Sequence, residues 1–383
     1  MVRQKSAKLL FPSSNLGAAS TIKSYFGNSF FVCTIQNVIS LVLEGDMREK
    51  NYNLEIIRMI SCIMVITIHA ANYFSRAFGS ISSGEYIYAI CFNVVARVSV
   101  PCFFMISGAL ILGRSYTMKK SLLSAKKFFI ILAFWSVAYG LFNIFYTGQG
   151  CQWSELLGEP AKNHLWYLYV MIPIYIVVPF LQAMCKGMDE KLEHGLAILG
   201  FVWLVIVFTT SALKQEFYYD LPILGDKCYV YYFYMGYYIN KYMDRIKIKS
   251  SHLIGAFVGG SLVSICLTCM NSFDRGYHYT SFMQYGSPFI MISSLAFFTL
   301  IATAKGGNIP VGKKLKSKID LVCQCSLGIY LIHVMFINFY TVNFKAAELS
   351  AYPMIPILIV YVFVASLASI WVIRKIPFGK TIA

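Results

Sequence analysis

Long apolar runs alternate with short polar segments along almost the whole chain. Most of the runs are about 20 residues long, the length that an α-helix needs to cross the hydrocarbon core of a bilayer. We distinguish ten of them, at residues 55–74, 86–112, 128–147, 166–185, 195–213, 227–242, 252–270, 284–304, 321–341 and 353–373. The pattern predicts an all-α fold, namely a polytopic integral membrane helix bundle of about ten transmembrane helices.

The composition agrees with this fold class. Of the 383 residues, 58% are hydrophobic and only 13% are charged, whereas a soluble domain carries about 25% charged residues. After residue 47 the segments between the runs are too short to form a soluble catalytic domain. Any chemistry must therefore take place within the helix bundle or at its rims.

The net charge of +16 is distributed unevenly among the segments that connect the runs. Lys and Arg number 21 in one alternating set, which includes 113–127, 241–250 and 305–318, and only 6 in the other set. By the positive-inside rule the basic set faces the cytoplasm, which predicts that both termini are cytoplasmic. The charge then reflects topology and attraction to anionic membrane lipids, so we expect no nucleic-acid partner.

Residues 1–46 do not continue this pattern. Their one apolar run, SFFVCTIQNVISLVL, has 15 residues, which is short for a membrane span, and it lacks the order of a signal peptide. We therefore predict two parts. Residues 1–46 form an N-terminal extension that is dispensable for function or lies upstream of the true start at Met47, and residues 47–383 form the transmembrane domain.

The first run carries two ionisable side chains among apolar ones, Arg58 and His69. Eleven residues correspond to about 1100°, within about 20° of three turns, so both side chains lie on one helix face about 16 Å apart along the axis. Ionisable groups inside a span are costly and commonly mark a site or a pathway. The alternative is a structural stripe of hydrogen bonds between packed helices.

The second run places Arg97 near the middle of the membrane. Pro101 follows one turn later, and Ser107 lies further along the same run. Proline frees a backbone carbonyl, which must find a partner in the bundle or in water. A functional arginine and a buried arginine that is hydrogen-bonded to helix carbonyls both fit this position.

Two further runs contain a histidine beside aromatic residues. His164 precedes Trp166 and Tyr167 at the predicted outer end of the fourth run, and His333 follows Tyr330 inside the ninth. Trp and Tyr are also typical anchors at the membrane interface. A histidine inside a span can equally be a packed, hydrogen-bonded residue without a chemical role.

The same residues suit general acid–base chemistry. A neutral imidazole at His69 can take the proton of a hydroxyl that attacks a carbonyl, and such general-base help is typically worth about 10²–10⁴-fold in rate. An arginine can stabilise the oxyanion that develops. A covalent intermediate on the histidine is the alternative mechanism, and the sequence leaves both open.

Four stretches together resemble acyltransferase family 3, especially its branch of surface-polysaccharide O-acyltransferases. They are Arg-x10-His (Arg58, His69), R-x-x-VP-x-FF-x-SG from Arg97 to Gly108, HLWYL at 164–168 and LGIYLIH at 327–333. The resemblance covers about residues 47–380. It implies a multi-pass enzyme of the cell (plasma or inner) membrane that moves an acyl group, usually acetyl, from cytoplasmic acyl-CoA to a hydroxyl of a surface polysaccharide or lipid-linked glycan.

The resemblance also implies roles for individual residues. His69 would be the catalytic histidine, with Arg58 as a second catalytic and donor-binding residue. Arg97 and Ser107 would belong to the acyl-CoA site. The acceptor site would contain His164, Trp166, Tyr167 and His333. No metal and no permanently bound cofactor are implied, because acyl-CoA, usually acetyl-CoA, is a donor substrate.

Two other functions stay open at this point. A transporter or flippase of a lipid-linked glycan would use the Arg/His stripe only for binding or gating. A membrane half of a sensor or of an amino-acid handling system is the third hypothesis. Incorporation of labelled acetyl groups into glycan supports the enzyme, whereas glycan translocation without acylation supports the transporter.

Overall fold

The computed structural model describes residues 50–148, 158–214, 219, 228–343 and 349–383. The predicted N-terminal extension, residues 1–46, lies outside the described residues. Within these ranges all regular secondary structure is helical. The α-helices are α1 (Tyr52–Ser75), α2 (Ser83–Ala96), α3 (Ser99–Ile111), α4 (Met118–Phe142), α5 (Trp166–Gly187), α6 (Glu190–Ala212), α7 (Tyr229–Lys241), α8 (Ser250–Arg275), α9 (Pro288–Ala302), α10 (Lys313–Asn343), α11 (Ala351–Ile373) and α12 (Gly379–Ile382).

The described part of the chain contains nine helical segments that are long and apolar enough to cross a membrane. This confirms the predicted polytopic helix bundle. The predicted run at 227–242 differs from the others, because its helix α7 has only 13 residues. A helix of that length extends about 20 Å, less than the hydrocarbon thickness of about 30 Å.

Helix α7 is short but deeply packed, because two glycines let it approach α3 closely. A methyl group added at Gly108 would lie 1.7 Å from the carbonyl oxygen of Phe233. One added at Gly236 would lie 1.9 Å from the carbonyl oxygen of Met105. The backbones therefore touch at two points, where Gly108 faces Phe233 and Gly236 faces Met105, as small residues permit in membrane helices.

The predicted second span, 86–112, is divided into α2 and α3 at Arg97 and Val98. Pro101 accounts for the break, because it has no N–H and its ring clashes with the carbonyl four residues earlier, that of Arg97. The hydroxyl of Ser99 donates to the carbonyl of Ala96, 2.7 Å away, at the same point. Arg97 therefore lies at an interruption in a helix rather than on a regular turn.

Two helices extend further than the apolar runs indicate. Helix α4 begins at Met118 and α10 at Lys313, so both start inside segments that were predicted as basic connections. The side chain of Thr117 accepts a hydrogen bond from the N–H of Lys120 and caps α4. Lysines can remain on such helix ends because their long stems let the ammonium groups reach water.

A buried ionic cluster joins α6 to α7. The carboxylate of Glu193 is completely buried and accepts from Lys241 Nζ at 2.7 and 2.8 Å. The hydroxyls of Tyr242, at 2.6 Å, and Tyr237, at 3.2 Å, donate to the same carboxylate. Each carboxylate oxygen thus has at least two donors, which offsets the cost of burying the charge.

Helix α1 occupies the centre of the bundle, where it packs against α2, α3, α9, α10 and α11. Its first turn is fixed by Asn51, whose side chain accepts from the N–H groups of Asn53 and Leu54. The buried amide of Asn53 donates to three carbonyls at and just beyond the end of α9, those of residues 301, 302 and 304, at 2.8–3.1 Å. Its oxygen accepts from the N–H of Ile309 at 2.8 Å. The position of α1 is therefore set at one end by a saturated amide.

Candidate active site

Two cavities lie along α1. The first, which we call the Arg58 cavity, has a volume of about 200 Å³. Its apolar wall consists of Val65, Ile68, Val100, Phe103, Phe128 and Leu327. Its polar and aromatic wall consists of Arg58, His69, Ser107, His164, Trp166, Tyr167, Tyr285, Ser326 and Tyr330. The cavity thus combines an apolar wall with a few converging polar groups, as is typical of ligand sites.

The second, which we call the Arg76 cavity, has a volume of about 450 Å³ and lies toward the other end of α1. Its lining is mostly polar and consists of His69, Asn72, Tyr73, Arg76, Lys162, Asn163, His164, Val334, Ile337 and Asn338. His69 and His164 line both cavities. The two imidazoles therefore stand where the cavities meet.

The structure brings three histidines from separate helical segments together at this junction. The ring centroids of His69 and His333 are 4.9 Å apart, those of His164 and His333 are 5.2 Å apart, and those of His69 and His164 are 6.1 Å apart. His333 is completely buried and lies behind the cavity wall rather than in it. The predicted catalytic histidine thus has two histidine neighbours.

Backbone carbonyls orient two of these rings. Nδ1 of His333 lies 2.6 Å from the carbonyl oxygen of Tyr330, and Nε2 of His164 lies 3.2 Å from that of Leu331. A carbonyl only accepts, so each of these nitrogens carries the proton. The opposite nitrogen of a neutral ring is then unprotonated and carries a lone pair that can accept a hydrogen bond. Among the described residues, Nε2 of His333 and Nδ1 of His164 are buried without a hydrogen-bond partner.

Tyrosine hydroxyls hold the backbone on which the histidines rely. The hydroxyl of Tyr139 donates to the carbonyl of Leu331 at 2.8 Å, and that of Tyr330 donates to the carbonyl of His164. Helix α10 and the short helical turn Asn163–Leu165 are thereby joined next to His69. Such bonds hold the rings in place without using their free nitrogens.

Arg58 lies in the wall of the cavity named after it, and its guanidinium is already paired. Its Nη1 atom donates to both carboxylate oxygens of Glu55, each 2.8 Å away. A helical side chain points back toward the start of its helix, so this guanidinium points away from His69. The arrangement favours the predicted donor-binding role of Arg58 over direct contact with the reacting carbonyl.

Arg97 lies outside the wall of both cavities. Its Nε atom donates to Asn93 at 3.0 Å, and the amide of Asn93 donates to Asn72 at 2.6 Å. The guanidinium also lies 5.5 Å from the ring centre of Tyr285. Arg97 therefore lines neither cavity itself, but it contacts Tyr285 of the Arg58 cavity directly and is linked to Asn72 of the Arg76 cavity through Asn93.

The remaining predicted residues all lie in the wall of the Arg58 cavity. Ser107 does so, although its hydroxyl donates to the carbonyl of Phe103 at 2.9 Å. Trp166 and Tyr167 line this cavity and not the Arg76 cavity. The ring of Trp166 packs 5.0 Å from that of Tyr229, so it belongs to the bundle interior. Of the predicted acceptor residues, His164 alone also lines the Arg76 cavity.

Arg76 and Lys162 are functional candidates that the sequence analysis treated only as loop cations. A signal for Arg76 was present, because it follows Arg58 by 18 residues, which is five turns of an α-helix. Arg58 and His69 therefore lie on one face of α1, and Arg76, the residue that caps the end of this helix, continues the same face. Helical periodicity gives no such signal for Lys162, which reaches the Arg76 cavity from a distant part of the chain, just before the turn Asn163–Leu165.

The fold and the two cavities are those of a multi-pass integral membrane protein in which two cavities, one partly apolar and one mostly polar, adjoin within the helix bundle. The sequence profile of a family described as an acyltransferase domain matches residues 51–374. The chain belongs to this family, acyltransferase family 3, and is a membrane acyltransferase, which confirms the predicted resemblance. Comparison with curated proteins and with solved structures gives no match.

Proposed function

We propose that this acyltransferase moves an acyl group, in the simplest case acetyl, from cytoplasmic acyl-CoA to a hydroxyl of a surface polysaccharide or lipid-linked glycan. The observation that carries the proposal is the position of His69, which lines both cavities. A donor that enters by one cavity and an acceptor that enters by the other meet at this ring.

The Arg58 cavity suits the donor. Its apolar wall suits the uncharged part of acyl-CoA that carries the thioester. Arg58 and the basic helix ends lie toward the predicted cytoplasmic side, from which acyl-CoA enters. Arginine is well suited to phosphate because its planar guanidinium donates in a fork. The donor's phosphates would then bind near Arg58 while the thioester reaches His69.

The acceptor hydroxyl enters from the Arg76 cavity. The neutral ring of His69 takes the hydroxyl proton on its unprotonated nitrogen while the hydroxyl oxygen attacks the thioester carbonyl and forms the new C–O bond. The C–S bond then breaks, and the CoA thiolate leaves with the proton that the imidazolium returns. An acyl-histidine intermediate uses the same position in two steps, with His69 as the nucleophile in the first.

Purified protein in lipid nanodiscs, supplied with radiolabelled acetyl-CoA and glycan, tests the proposal. We expect label in the glycan with the native chain and with His252→Ala, which replaces an exposed histidine on α8. Label on the protein that chases into glycan would identify the two-step route. Translocation of a lipid-linked glycan without any acylation would contradict the proposal in favour of a flippase.

A further inference from the structure

The Arg76 cavity has an unbalanced charge. It contains the two cationic side chains Arg76 and Lys162, and its other polar lining consists of amides, a tyrosine and imidazoles. No Asp or Glu occurs among the described residues that line it. The Arg58 cavity differs, because its arginine is paired with Glu55.

Neither cation is neutralised elsewhere in the described part of the chain. The ion pairs found there join Lys50 to Asp320, Arg58 to Glu55, Lys241 to Glu193 and Arg245 to Glu190. Arg76 takes part in none of them. The Nζ atom of Lys162 donates to the neutral amide of Asn143 at 3.3 Å.

The surroundings of Lys162 show the cost of this arrangement. Partial burial lowers the pKa of Lys162 below its ordinary value, and no anion opposes that shift. By contrast, the hydrogen bond to Asp320 raises the pKa of Lys50. A cation that is partly removed from water without a counter-charge gains most when an anion binds beside it.

The position of Arg76 relative to His69 sets a distance. Seven residues correspond to about 700°, some 20° short of two turns, and to a rise of about 10 Å. The side chain of Arg76 also points back along the helix, toward His69. An anion at Arg76 therefore lies within about 10 Å of the ring at which the acceptor hydroxyl reacts.

We propose that the Arg76 cavity binds a phosphate or carboxylate group of the acceptor through Arg76 and Lys162. This inference rests on the proposed function and narrows it to an anionic acceptor, either an acidic glycan or a glycan attached to a lipid phosphate. The anion holds the acceptor so that a hydroxyl within about 10 Å of it reaches His69.

The test compares three acceptors with one common oligosaccharide, in nanodiscs of uncharged lipid. One acceptor is neutral, one carries a uronic acid, and one is linked to an isoprenyl diphosphate. We expect a KM about tenfold lower for at least one anionic acceptor, which corresponds to about 1.4 kcal/mol. Preference for the uronic acid or for the diphosphate identifies the source of the anion.

Two variants and one control link this preference to the cavity. Arg76→Gln and Lys162→Gln should each raise the KM of the preferred anionic acceptor about tenfold, which is again about 1.4 kcal/mol. The KM of acetyl-CoA and the KM of the neutral acceptor should not change. Arg275→Gln removes an exposed cation from the end of α8 and should alter none of these values.

Equal KM values for neutral and anionic acceptors would overturn the inference, and so would variants that weaken the neutral acceptor equally. If no acceptor is acylated, the proposed function fails, and equilibrium binding of the same three glycans decides the inference separately. The native chain should bind an anionic glycan more tightly than the neutral one, and both variants should abolish that difference. Equal binding to the native chain would refute the anion site.

Discussion

Glu193 and His333 are both completely buried, and their hydrogen bonding differs sharply. Lysine and tyrosine donors surround the carboxylate of Glu193 between α6 and α7. The ring of His333 has one nitrogen bonded to a carbonyl and one buried nitrogen without a partner among the described residues. Buried polar groups are normally satisfied, so the exception needs a reason.

The difference distinguishes a polar cluster whose groups are all paired from one that keeps unpaired ring nitrogens. The Glu193 cluster uses its polar atoms to join helices, and nothing remains for a ligand. In the histidine cluster, backbone carbonyls and tyrosine hydroxyls orient the rings. One nitrogen each of His164 and His333 keeps an unused lone pair. The contrast predicts that changes in the first cluster reduce stability and changes in the second reduce activity.

The largest expected effect is that of His69→Ala. Acyl transfer should fall by about 10²–10⁴-fold, because the proton acceptor is removed, while the protein still inserts and folds. Single-turnover transfer at matched expression measures the effect, with His252→Ala as the control. Near-normal transfer in His69→Ala would return this histidine to a packing role.

The next effect is on stability. Lys241→Met leaves the buried carboxylate of Glu193 without its cation and should lower the free energy of unfolding by about 2 kcal/mol, less than for a fully buried pair because the lysine side chain is 40% exposed. Glu193→Gln in the same chain should recover much of that loss, because no buried charge then remains. Unfolding in denaturant measures both values. A large fall in the kcat of folded Lys241→Met would contradict the separation of the two clusters.

A smaller effect is expected for His333→Phe, which keeps a ring beside His69 and removes both nitrogens. The kcat should fall about tenfold, or about 1.4 kcal/mol, if the free lone pair helps to stabilise the imidazolium of His69. The KM of the acyl donor should not change. Tyr139→Phe removes a hydroxyl from the same cluster and no ring nitrogen, so it should affect kcat much less. Equal losses in both variants would assign His333 to packing.

The smallest effect concerns the exposed pair of Lys50 and Asp320, whose atoms are 2.9 Å apart. Lys50→Gln should cost about 0.5 kcal/mol near pH 8, as expected for an exposed pair. Because the bond raises the pKa of Lys50 above its ordinary value of 10.5, its contribution is complete below that pH and is lost as pH rises through the higher folded value.

Thermal midpoints of the native chain and of Lys50→Gln, measured at pH 8 and at pH values above 10.5, provide the test. The difference between the two proteins should shrink at the higher values. Lys249→Gln replaces an exposed lysine at the start of α8 and should show no such dependence. A difference that grows with pH would contradict the assigned sign.

Helical periodicity was sufficient to predict which residues share a face of α1. Arg58 and His69 do line one cavity wall, since a regular helix repeats every 3.6 residues. The partners of His69 were not predictable in the same way. His164 and His333 reach it through packing of distant segments, which a local pattern does not contain. Arg97, which was predicted at the donor, lies outside the cavity wall and contacts Asn93 and Tyr285, and the contact with Tyr285 also joins distant segments of the chain.

His69 and His164 line both cavities, so their rings occupy the point along α1 where the two cavities meet. A membrane that maintains a potential loses about 2.3 kcal/mol for each elementary charge that leaks through it per 100 mV. A continuous column of water along α1 would provide such a leak. The proposed catalysis and the electrical insulation would then depend on the same imidazoles, so a variant that shortens one of them should raise ion conductance across the membrane as well as lower the proposed acyl transfer.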